Sequence, residues 1–244
     1  MQKLSFFDNT AQIYIICSDD FIKPDSLDLS YFISTLSDEE KDRFSRYKNE
    51  NAQFTFLTAR FYLRNILSKI IENNAASLRV NYDVSHNLEN EIDIKKINYE
   101  ASNLIIEISP SGKPYLKDYP TLFFNISHTD GLILLGFANS PIGVDVEKIE
   151  RNADKEAIIK HFFSEKEQQS FFSQPDNQRQ LAFVKGWTRK EAILKATGDG
   201  LSAMKDFEVS FEPETDMPLI MKNNKFKIKD FTPLESYAGC VALL

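Results

Sequence analysis

The sequence predicts an α+β fold, a pseudo-dimer of two similar halves that each pack a small antiparallel sheet with a long helix. Three strand patterns joined by hairpin-length turns occupy residues 122–148, with helical patterns on both sides. Leu36–Phe44 resembles Phe163–Phe171 at an offset of 127 residues, and Leu57–Arg64 resembles Trp187–Lys195 at an offset of 130 or 131. Two matches in the same order indicate an internal duplication, with a ligand cleft between the halves.

The first half opens with a buried strand at residues 12–18. Ser37 to Glu40 has the form of a capping box, in which the Ser and Glu side chains bond the amides at a helix start. The helical pattern that follows has a break near Asn49 or Asn51 and then continues through Phe54–Ile71.

The middle of the chain is rich in strand and turn patterns. Strands are predicted at Leu78–Tyr82, Leu104–Ile108, Leu122–Ser127, Leu132–Ala138 and Ile142–Lys148. Residues 87–98 form a polar stretch typical of a loop, and residues 111–115 have the composition of a turn. Short turns at 129–131 and 139–141 join the last three strands, so we expect an antiparallel meander.

The second half repeats the helical signals. Ser164 to Glu167 is again a capping-box pattern, and the helix it starts continues through Phe171. After a break at residues 174–176, a long helix is predicted from Arg179 to Ala196, ending at Gly198 because glycine is preferred just past a helix terminus. Three further strands are predicted, at Phe207–Phe211, Phe226–Ile228 and Tyr237–Leu243.

Composition narrows the class of protein. A net charge of −7 argues against a general nucleic-acid binder. The two cysteines, Cys17 and Cys240, have neither metal-ligand spacing nor the density of a disulfide framework. No apolar run approaches the roughly 20 residues that cross a membrane, and the N-terminus lacks a signal peptide's apolar core. We therefore expect a cytoplasmic protein that binds neither nucleic acid nor membrane.

A cluster of charged residues is the first candidate site. On a strand, Asp145 and Glu147 project from one face, and on a helix, Glu191 and Lys195 share one stripe. If the elements meet, three carboxylates and a lysine converge, and oxygen ligands of this kind suit Mg²⁺ beside a substrate phosphate. Each pair also has a simpler interpretation: a solvated strand face for the first, and an exposed ion pair worth about 0.2–0.5 kcal/mol for the second.

Ser127 and His128 end a predicted strand and offer hydrogen-bond donors suited to phosphate oxygens. A Ser/His nucleophile pair is the rival interpretation, although no motif indicates its orienting residue or oxyanion hole. Glu167 has a simple role as the capping-box glutamate, and Lys113 could be an ordinary turn lysine. The chain has neither a Gly-x-x-x-x-Gly-Lys-Ser/Thr loop nor a Gly-x-Gly-x-x-Gly fingerprint, which disfavours those routes to nucleotide binding.

Taken in order, the motifs resemble the 4′-phosphopantetheinyl transferases of the Sfp type. They are Gly112-Lys-Pro114, Phe124-Asn-Ile-Ser-His128, Gly143-Val-Asp-Val-Glu147, Phe163-Ser-x-x-Glu167 and Trp187-Thr-x-Lys-Glu-Ala192 with Lys195-Ala-Thr-Gly-x-Gly-Leu201. The resemblance implies a pseudo-dimer with coenzyme A at the junction of its halves, here 1–120 and 121–244. It also implies Mg²⁺-dependent transfer, with Mn²⁺ as a possible substitute, of phosphopantetheine to a serine of an apo carrier protein.

The same resemblance implies roles for individual residues. The metal carboxylates would be Asp145, Glu147 and Glu191, and Lys195 would contact the pyrophosphate. The contacts to the nucleotide and its phosphates would come from Arg43, Arg60, Lys113, Ser127 and His128. The base that deprotonates the carrier serine stays open between Glu167, Glu191 and a metal-bound water.

The carrier would belong to a fatty-acid, polyketide or non-ribosomal peptide synthase, and a chain that supplies both halves is expected to be a monomer. Two other functions are compatible with the residues. A coenzyme A or nucleotide pyrophosphohydrolase would cleave its substrate without a carrier. A non-catalytic coenzyme A-binding or carrier-binding protein would be expected to lack one of the metal carboxylates, and all three are present.

Overall fold

The computed structural model describes residues 1–75, 101–150, 154–211, 219–221 and 224–244. The strands are β1 Gln2–Phe6, β2 Ala11–Cys17, β3 Ile106–Ile108, β4 Pro114–Leu116, β5 Phe123–Thr129, β6 Leu132–Ala138, β7 Ile142–Lys148, β8 Leu219–Met221, β9 Asn224–Phe231 and β10 Tyr237–Leu243. The α-helices are α1 Leu29–Ser34, α2 Asp38–Ser45, α3 Glu50–Ala75, α4 Lys155–Phe162, α5 Glu165–Phe172 and α6 Arg179–Thr197.

Two four-stranded antiparallel sheets form the centre of the described chain. The first has the strand order β1-β2-β6-β5 and the second β7-β10-β9-β8, while β3 and β4 form a separate hairpin. The predicted α+β class is therefore confirmed. The relation of the two halves as a pseudo-dimer, and the division at residues 120 and 121, stay predictions. The chain passes from the first sheet to the second between β6 and β7, because β5 and β6 pair in the first sheet and β7 pairs with β10 in the second.

The two sheets pack against each other, and each carries a long helix on its outer face. Alternation along β2 sends Ile13 and Ile15 to the layer between the sheets, where they meet Val144 and Val146 of β7. Tyr14 faces the opposite way and joins the core beneath α3. A third core lies between the second sheet and α6, so the buried layers run helix, sheet, sheet, helix.

Several predicted elements are confirmed. The bounds of β6, β7 and β10 agree with the predicted strands, and both capping boxes are formed, at Ser37 and Ser164. Helix α6 ends as expected at Gly198, whose φ of 80° is left-handed. The strand pattern at 104–108 shortens to β3, whereas β1, α1 and α4 were not predicted. The predicted strand at 78–82 and the polar stretch at 87–98 lie outside the described residues.

Two predictions are wrong. The expected meander stops after the β5–β6 hairpin, because β7 crosses to the second sheet and pairs with β10. The segment 207–211 is not a strand, although its apolar residues are buried in alternation. Its backbone is held by side chains instead, since the Val209 amide donates to Glu167 Oε1 at 2.8 Å and the Ser210 carbonyl accepts from Arg189.

Among the residues that the structure describes, no helix is both long enough and apolar enough to cross a membrane.

Candidate active site

Asp145, Ser127 and Lys195 meet where β5, β7 and α6 come together. Lys195 Nζ donates to Asp145 Oδ1 at 2.6 Å and to Ser127 Oγ at 3.1 Å, and Ser127 Oγ donates to the same Oδ1 at 2.9 Å. Asp145 is only 4% exposed, and its second oxygen, Oδ2, is buried without a hydrogen-bond partner. A buried carboxylate oxygen of this kind is costly unless a cation or a further donor comes to it.

The close approach of β7 to α6 depends on Gly143. A Cβ atom at this position would lie 1.9 Å from the Ala192 carbonyl oxygen and 2.4 Å from the Ala196 amide nitrogen. Only glycine lets the strand lie this close to the helix. Because Asp145 follows two residues later and Lys195 lies in the same turn of α6, the contact brings their charged groups together.

Side chains from β5 join it to β7, although the two strands belong to different sheets. Asn125 Oδ1 accepts a hydrogen bond from the Val144 amide at 2.9 Å, and Ser127 Oγ accepts one from the Val146 amide at 3.3 Å. Asn125 and Ser127 project from the same face of β5 because side chains on a strand alternate. These two polar side chains thus hold the edge on which Asp145 lies.

A cavity of about 740 Å³ adjoins this cluster through β5. Its walls include Arg43, Arg60 and His128, three of the residues that the resemblance assigns to coenzyme A, together with Tyr47 and Phe56. The volume lies within the range of about 300–1,000 Å³ that is typical of small-molecule sites. The cavity therefore combines apolar walls with a few basic groups.

Arg60 is held in the cavity wall with part of its guanidinium unused. Its Nε lies 3.4 Å from Glu40 Oε1, and the guanidinium carbons of Arg43 and Arg60 lie 5.1 and 5.5 Å from the centre of the Phe56 ring. The Nη1 atom of Arg60 is buried and has no hydrogen-bond partner. Burial lowers the pKa of Arg60 from its ordinary value, against the opposing effect of Glu40. An anion in the cavity would satisfy this donor.

His128 connects the cavity with the Asp145 cluster, because it follows Ser127 on β5 and lines the cavity. Loss of water around its ring is the largest cause that lowers the pKa of His128, and the charges of Lys195 and Arg43 act in the same direction. Asp145 opposes them. The lowered pKa favours the uncharged imidazole, which can donate through one nitrogen.

Lys113 makes its hydrogen bonds away from the cavity, to backbone carbonyls of β7 and α6. Its Nζ donates to the Ala196 carbonyl at 2.7 Å and to the Ile142 carbonyl at 3.2 Å, where α6 ends and β7 begins. Burial lowers the pKa of Lys113 to about 8. The adjacent Pro114 lines the cavity. In this arrangement the Lys113 ammonium ties the two elements that carry Asp145 and Lys195, and none of its observed hydrogen bonds points to the cavity.

Glu167 is also committed to structure. It is 2% exposed. Its Oε2 accepts a hydrogen bond from the Ser164 amide and lies 3.0 Å from Lys190 Nζ, and its Oε1 accepts a hydrogen bond from the Val209 amide. None of these contacts goes to the Asp145 cluster. The structure thus places Glu167 in the helix cap and the core, in agreement with its simpler interpretation.

The three predicted metal carboxylates lie on β7 and α6, but they are not gathered around one point. Glu147 and Glu191 are half-buried, and Asp145 is paired with Lys195. Within the described part of the chain, no three His, Cys, Asp or Glu side chains are close enough to hold a metal ion. The buried, unpartnered Oδ2 of Asp145 is the one feature of this set that favours a cation.

Some residues of the site were not predicted. Asn125 and Gly143 lie within the motifs of the resemblance but have no predicted role, although both determine where β7 lies. Their signal was present in the sequence as polar and glycine positions in adjacent strands. The aromatic wall formed by Tyr47 and Phe56 had no local signal, because it depends on how α2 and α3 pack.

Comparison with known proteins shows which family the sequence resembles. The model of the 4′-phosphopantetheinyl transferase superfamily matches residues 141–241, which include Asp145, Glu147, Glu191 and Lys195. The chain is 28% identical over 214 residues to the 4′-phosphopantetheinyl transferase HetI of Nostoc sp., covering 86% of this chain and 79% of HetI.

Two shorter matches are more similar. The chain is 33% identical over 138 residues to the 4′-phosphopantetheinyl transferase psf-1 of Bacillus pumilus, covering 54% of this chain and 58% of psf-1. It is 30% identical over 133 residues to the 4′-phosphopantetheinyl transferase Sfp of Bacillus subtilis, covering 50% of this chain and 58% of Sfp. Each of these two alignments thus spans less than two thirds of the relative.

Proposed function

We propose that this chain is a 4′-phosphopantetheinyl transferase of the Sfp type, which transfers the 4′-phosphopantetheine moiety of coenzyme A to a serine of an apo carrier protein and releases 3′,5′-ADP. The observation that carries the proposal is the Asp145–Ser127–Lys195 cluster beside the cavity lined by Arg43 and Arg60. A basic cavity next to a buried carboxylate suits a substrate whose pyrophosphate must be held and neutralised.

The cavity residues would bind coenzyme A through its phosphates. Arg60 has a buried donor without a partner, and Arg43 lies against the same aromatic ring, so both guanidinium groups are oriented before substrate arrives. Ser127 and His128 would add hydrogen bonds to the nucleotide portion, with His128 acting as a neutral donor. Lys195 would contact the pyrophosphate, since its ammonium contacts Ser127, which directly precedes the cavity residue His128.

Asp145, Glu147 and Glu191 would hold Mg²⁺, with Mn²⁺ as a substitute. The buried Oδ2 of Asp145 is a suitable ligand atom, and carboxylate oxygens are the donors that this ion prefers. Bound there, the ion would neutralise charge on the pyrophosphate and make 3′,5′-ADP a better leaving group. For this arrangement, the side chains of Glu147 and Glu191 would have to move toward Asp145. The Lys195 ammonium would have to leave Asp145 for the substrate.

The carrier serine must lose its proton as its oxygen attacks the β-phosphorus. Of the two glutamates that the resemblance suggests as base, Glu191 is half-buried and lies one turn before Lys195 on α6, on the same side of the helix. Glu191 is therefore the glutamate that we assign to this step, and a metal-bound water is the other candidate that the resemblance allows. General-base assistance of this kind is worth roughly 10²–10⁴-fold.

The partner would be an apo carrier protein or carrier domain of a fatty-acid, polyketide or non-ribosomal peptide synthase, and the enzyme would act as a monomer. The test is incubation with coenzyme A, Mg²⁺ and a panel of apo carriers, followed by intact-mass spectra of each carrier. We expect one phosphopantetheine to be added to at least one carrier. No addition across the panel would contradict the proposal, and release of 3′,5′-ADP without a carrier would favour a pyrophosphohydrolase.

A paired substitution tests the cluster. Asp145→Asn keeps the size of the side chain but removes its charge, and it should reduce transfer by more than about 100-fold while the protein stays folded. Asp118→Asn is the matched control, because Asp118 is exposed and lies outside the cavity and the cluster. Full activity of the Asp145→Asn variant, measured against that control, would remove Asp145 from the catalytic set.

A further inference from the structure

Glu167 and Lys190 form a buried pair that links three parts of the second half. Glu167 Oε2 accepts from the Ser164 amide at 2.8 Å and lies 3.0 Å from Lys190 Nζ, and Oε1 accepts from the Val209 amide at 2.8 Å. The start of α5, the middle of α6 and the segment before residue 211 are thus tied to one carboxylate. Both of its oxygens are occupied in a side chain that is 2% exposed.

Lys190 is satisfied to the same degree. Its Nζ donates to the carbonyls of Met204 at 2.6 Å and Phe207 at 2.8 Å, and the third donor faces Glu167. The rings of Phe163 and Phe207 lie 5.0 and 4.6 Å from the ammonium, and Lys190 has no exposed surface. An ammonium whose three donors are all hydrogen-bonded or paired, and which lies beside aromatic rings, is held in one position.

This pair, which we call the α6 clamp, lies next to the residues of the candidate site. Lys190 directly precedes Glu191, and Lys195 lies five residues further along the same helix. Because the clamp holds α6 on its buried side, it sets the rotation of the helix and hence where Glu191 and Lys195 project. A group that serves as a base needs a free oxygen within reach of the substrate proton, and Glu167 offers none here.

The first half contains a similar arrangement. Glu40 is the capping-box glutamate of α2, and it accepts from the Ser37 amide at 3.0 Å and from Arg64 Nε at 2.8 Å. Arg64 is 1% exposed, and its Nη1 donates to the Leu104 carbonyl at 3.0 Å. In both halves, a capping-box glutamate pairs with a buried cationic side chain of the long helix. That side chain in turn donates a hydrogen bond to a backbone carbonyl further along the chain. The recurrence indicates a structural device.

We infer that Glu167 is a positioning residue that acts through Lys190 on the site face of α6, and that it does not accept the proton of the carrier serine. The inference rests on the proposed transferase function for its kinetic readout. Its structural part, the coupling of Glu167 to Lys190, can be measured without any activity.

The experiment is a double-mutant cycle with Glu167→Gln, Lys190→Gln and the double variant. Each single change should lower kcat/KM by about tenfold, less than the roughly 10²-fold that a 1 Å misplacement can cost, and the double variant should lose no more than either single one. The Glu167→Gln variant should keep the acidic limb of the pH profile of kcat/KM, because its base is intact. Glu165→Gln, at an exposed position of α5, is the control.

The opposite pattern would overturn the inference. If Glu167 is the base, Glu167→Gln should lose 10²–10⁴-fold together with the acidic limb, while Lys190→Gln keeps nearly the wild-type rate. Lys190→Arg keeps the cation, as Arg64 does in the first half, and should be more active than Lys190→Gln; equal losses would contradict the clamp.

Denaturation midpoints provide the readout that is independent of transfer. The double variant should shift the midpoint by less than the two single shifts combined, because the partners are coupled. Additive shifts would also overturn the inference. A wild-type protein that transfers nothing would instead count against the proposed function and leave this cycle interpretable.

Discussion

Replacing Gly143 with alanine should separate β7 from α6 and disable the site. The added Cβ would lie 1.9 Å from the Ala192 carbonyl oxygen and 2.4 Å from the Ala196 amide nitrogen, whereas real Cβ contacts essentially never fall below 3.0 Å. Both obstructing atoms are backbone, so no change of rotamer relieves the contact. Strand and helix must therefore move apart by about 1 Å or more.

The expected losses follow from that displacement. Overpacking of this kind costs typically about 1–3 kcal/mol of stability, and the value here should lie at the upper end because two backbone atoms are involved. The distance from Lys195 Nζ to Asp145 Oδ1 is 2.6 Å, and a shift of about 1 Å would take it beyond hydrogen-bonding range. Misplacement by about 1 Å can reduce a catalysed rate by roughly 10²-fold.

The assay compares kcat/KM for carrier modification and urea denaturation of the wild-type protein with those of Gly143→Ala and Gly200→Ala. Gly200 is the matched control, since its φ is −81° and nothing lies within 4 Å of the Cβ that alanine would add. The control should stay within about 0.5 kcal/mol of the wild type. Wild-type rate and stability in Gly143→Ala would refute the account of how β7 and α6 meet.

Two further predictions concern basic residues. Arg60→Met should raise KM for coenzyme A by roughly 10- to 100-fold with a smaller change in kcat, because a hydrogen bond to a charged group is worth about 1.5–3 kcal/mol. An unchanged KM would contradict a contact between Arg60 and a phosphate of coenzyme A. Lys113→Met tests the lysine whose pKa burial lowers from 10.5 to about 8. Between pH 8 and 10.5 the Lys113 side chain is protonated in the unfolded chain but not in the folded chain. The free energy of unfolding of the wild type should therefore rise with pH relative to that of the variant. The rise is at most roughly 3 kcal/mol, and it should be smaller than this because the side chain is only half-buried. Unfolding free energies at pH 7 and 10 measure this, and a constant difference would contradict the lowered pKa.

Local signals in the sequence were sufficient for most elements. The two capping boxes start helices where expected, and Asn49, near the predicted break, accepts a hydrogen bond from the Ala52 amide at the start of α3. These features depend on contacts within a few residues, which a single sequence records directly. The periodicities of a strand and of a helix place Asp145 and Lys195 only on a face of their own elements; their contact joins residues 50 positions apart and also needs β7 and α6 to meet.

Other features depend on contacts that are distant in sequence. The pattern of β7 is that of a strand in any sheet, and its pairing with β10 is decided by residues almost 100 positions away. The buried alternation at Phe207 and Phe211 is typical of a strand, but side chains of α5 and α6 take the hydrogen bonds that a neighbouring strand would take. Glu167 had a structural and a catalytic interpretation, and the contact of its carboxylate with Lys190, 23 residues away, favours the structural one.

The two capping-box arrangements differ in whether their buried cations are fully hydrogen-bonded, and this difference suggests a structural role for one and a role in ligand binding for the other. In the second half every donor of Lys190 is used, so the α6 clamp is closed and can only hold its helix. In the first half Glu40 is shared between Arg64 and Arg60, and the Nη1 atom of Arg60 is left buried without a partner at the cavity wall. An unsatisfied cation at a cavity wall is destabilising in the free protein and is relieved by an anion, so the incomplete arrangement favours binding of a phosphate. Two similar capping-box arrangements can therefore differ in role, one as a rigid support and the other as a contact for an anion, according to whether their buried cations are fully hydrogen-bonded.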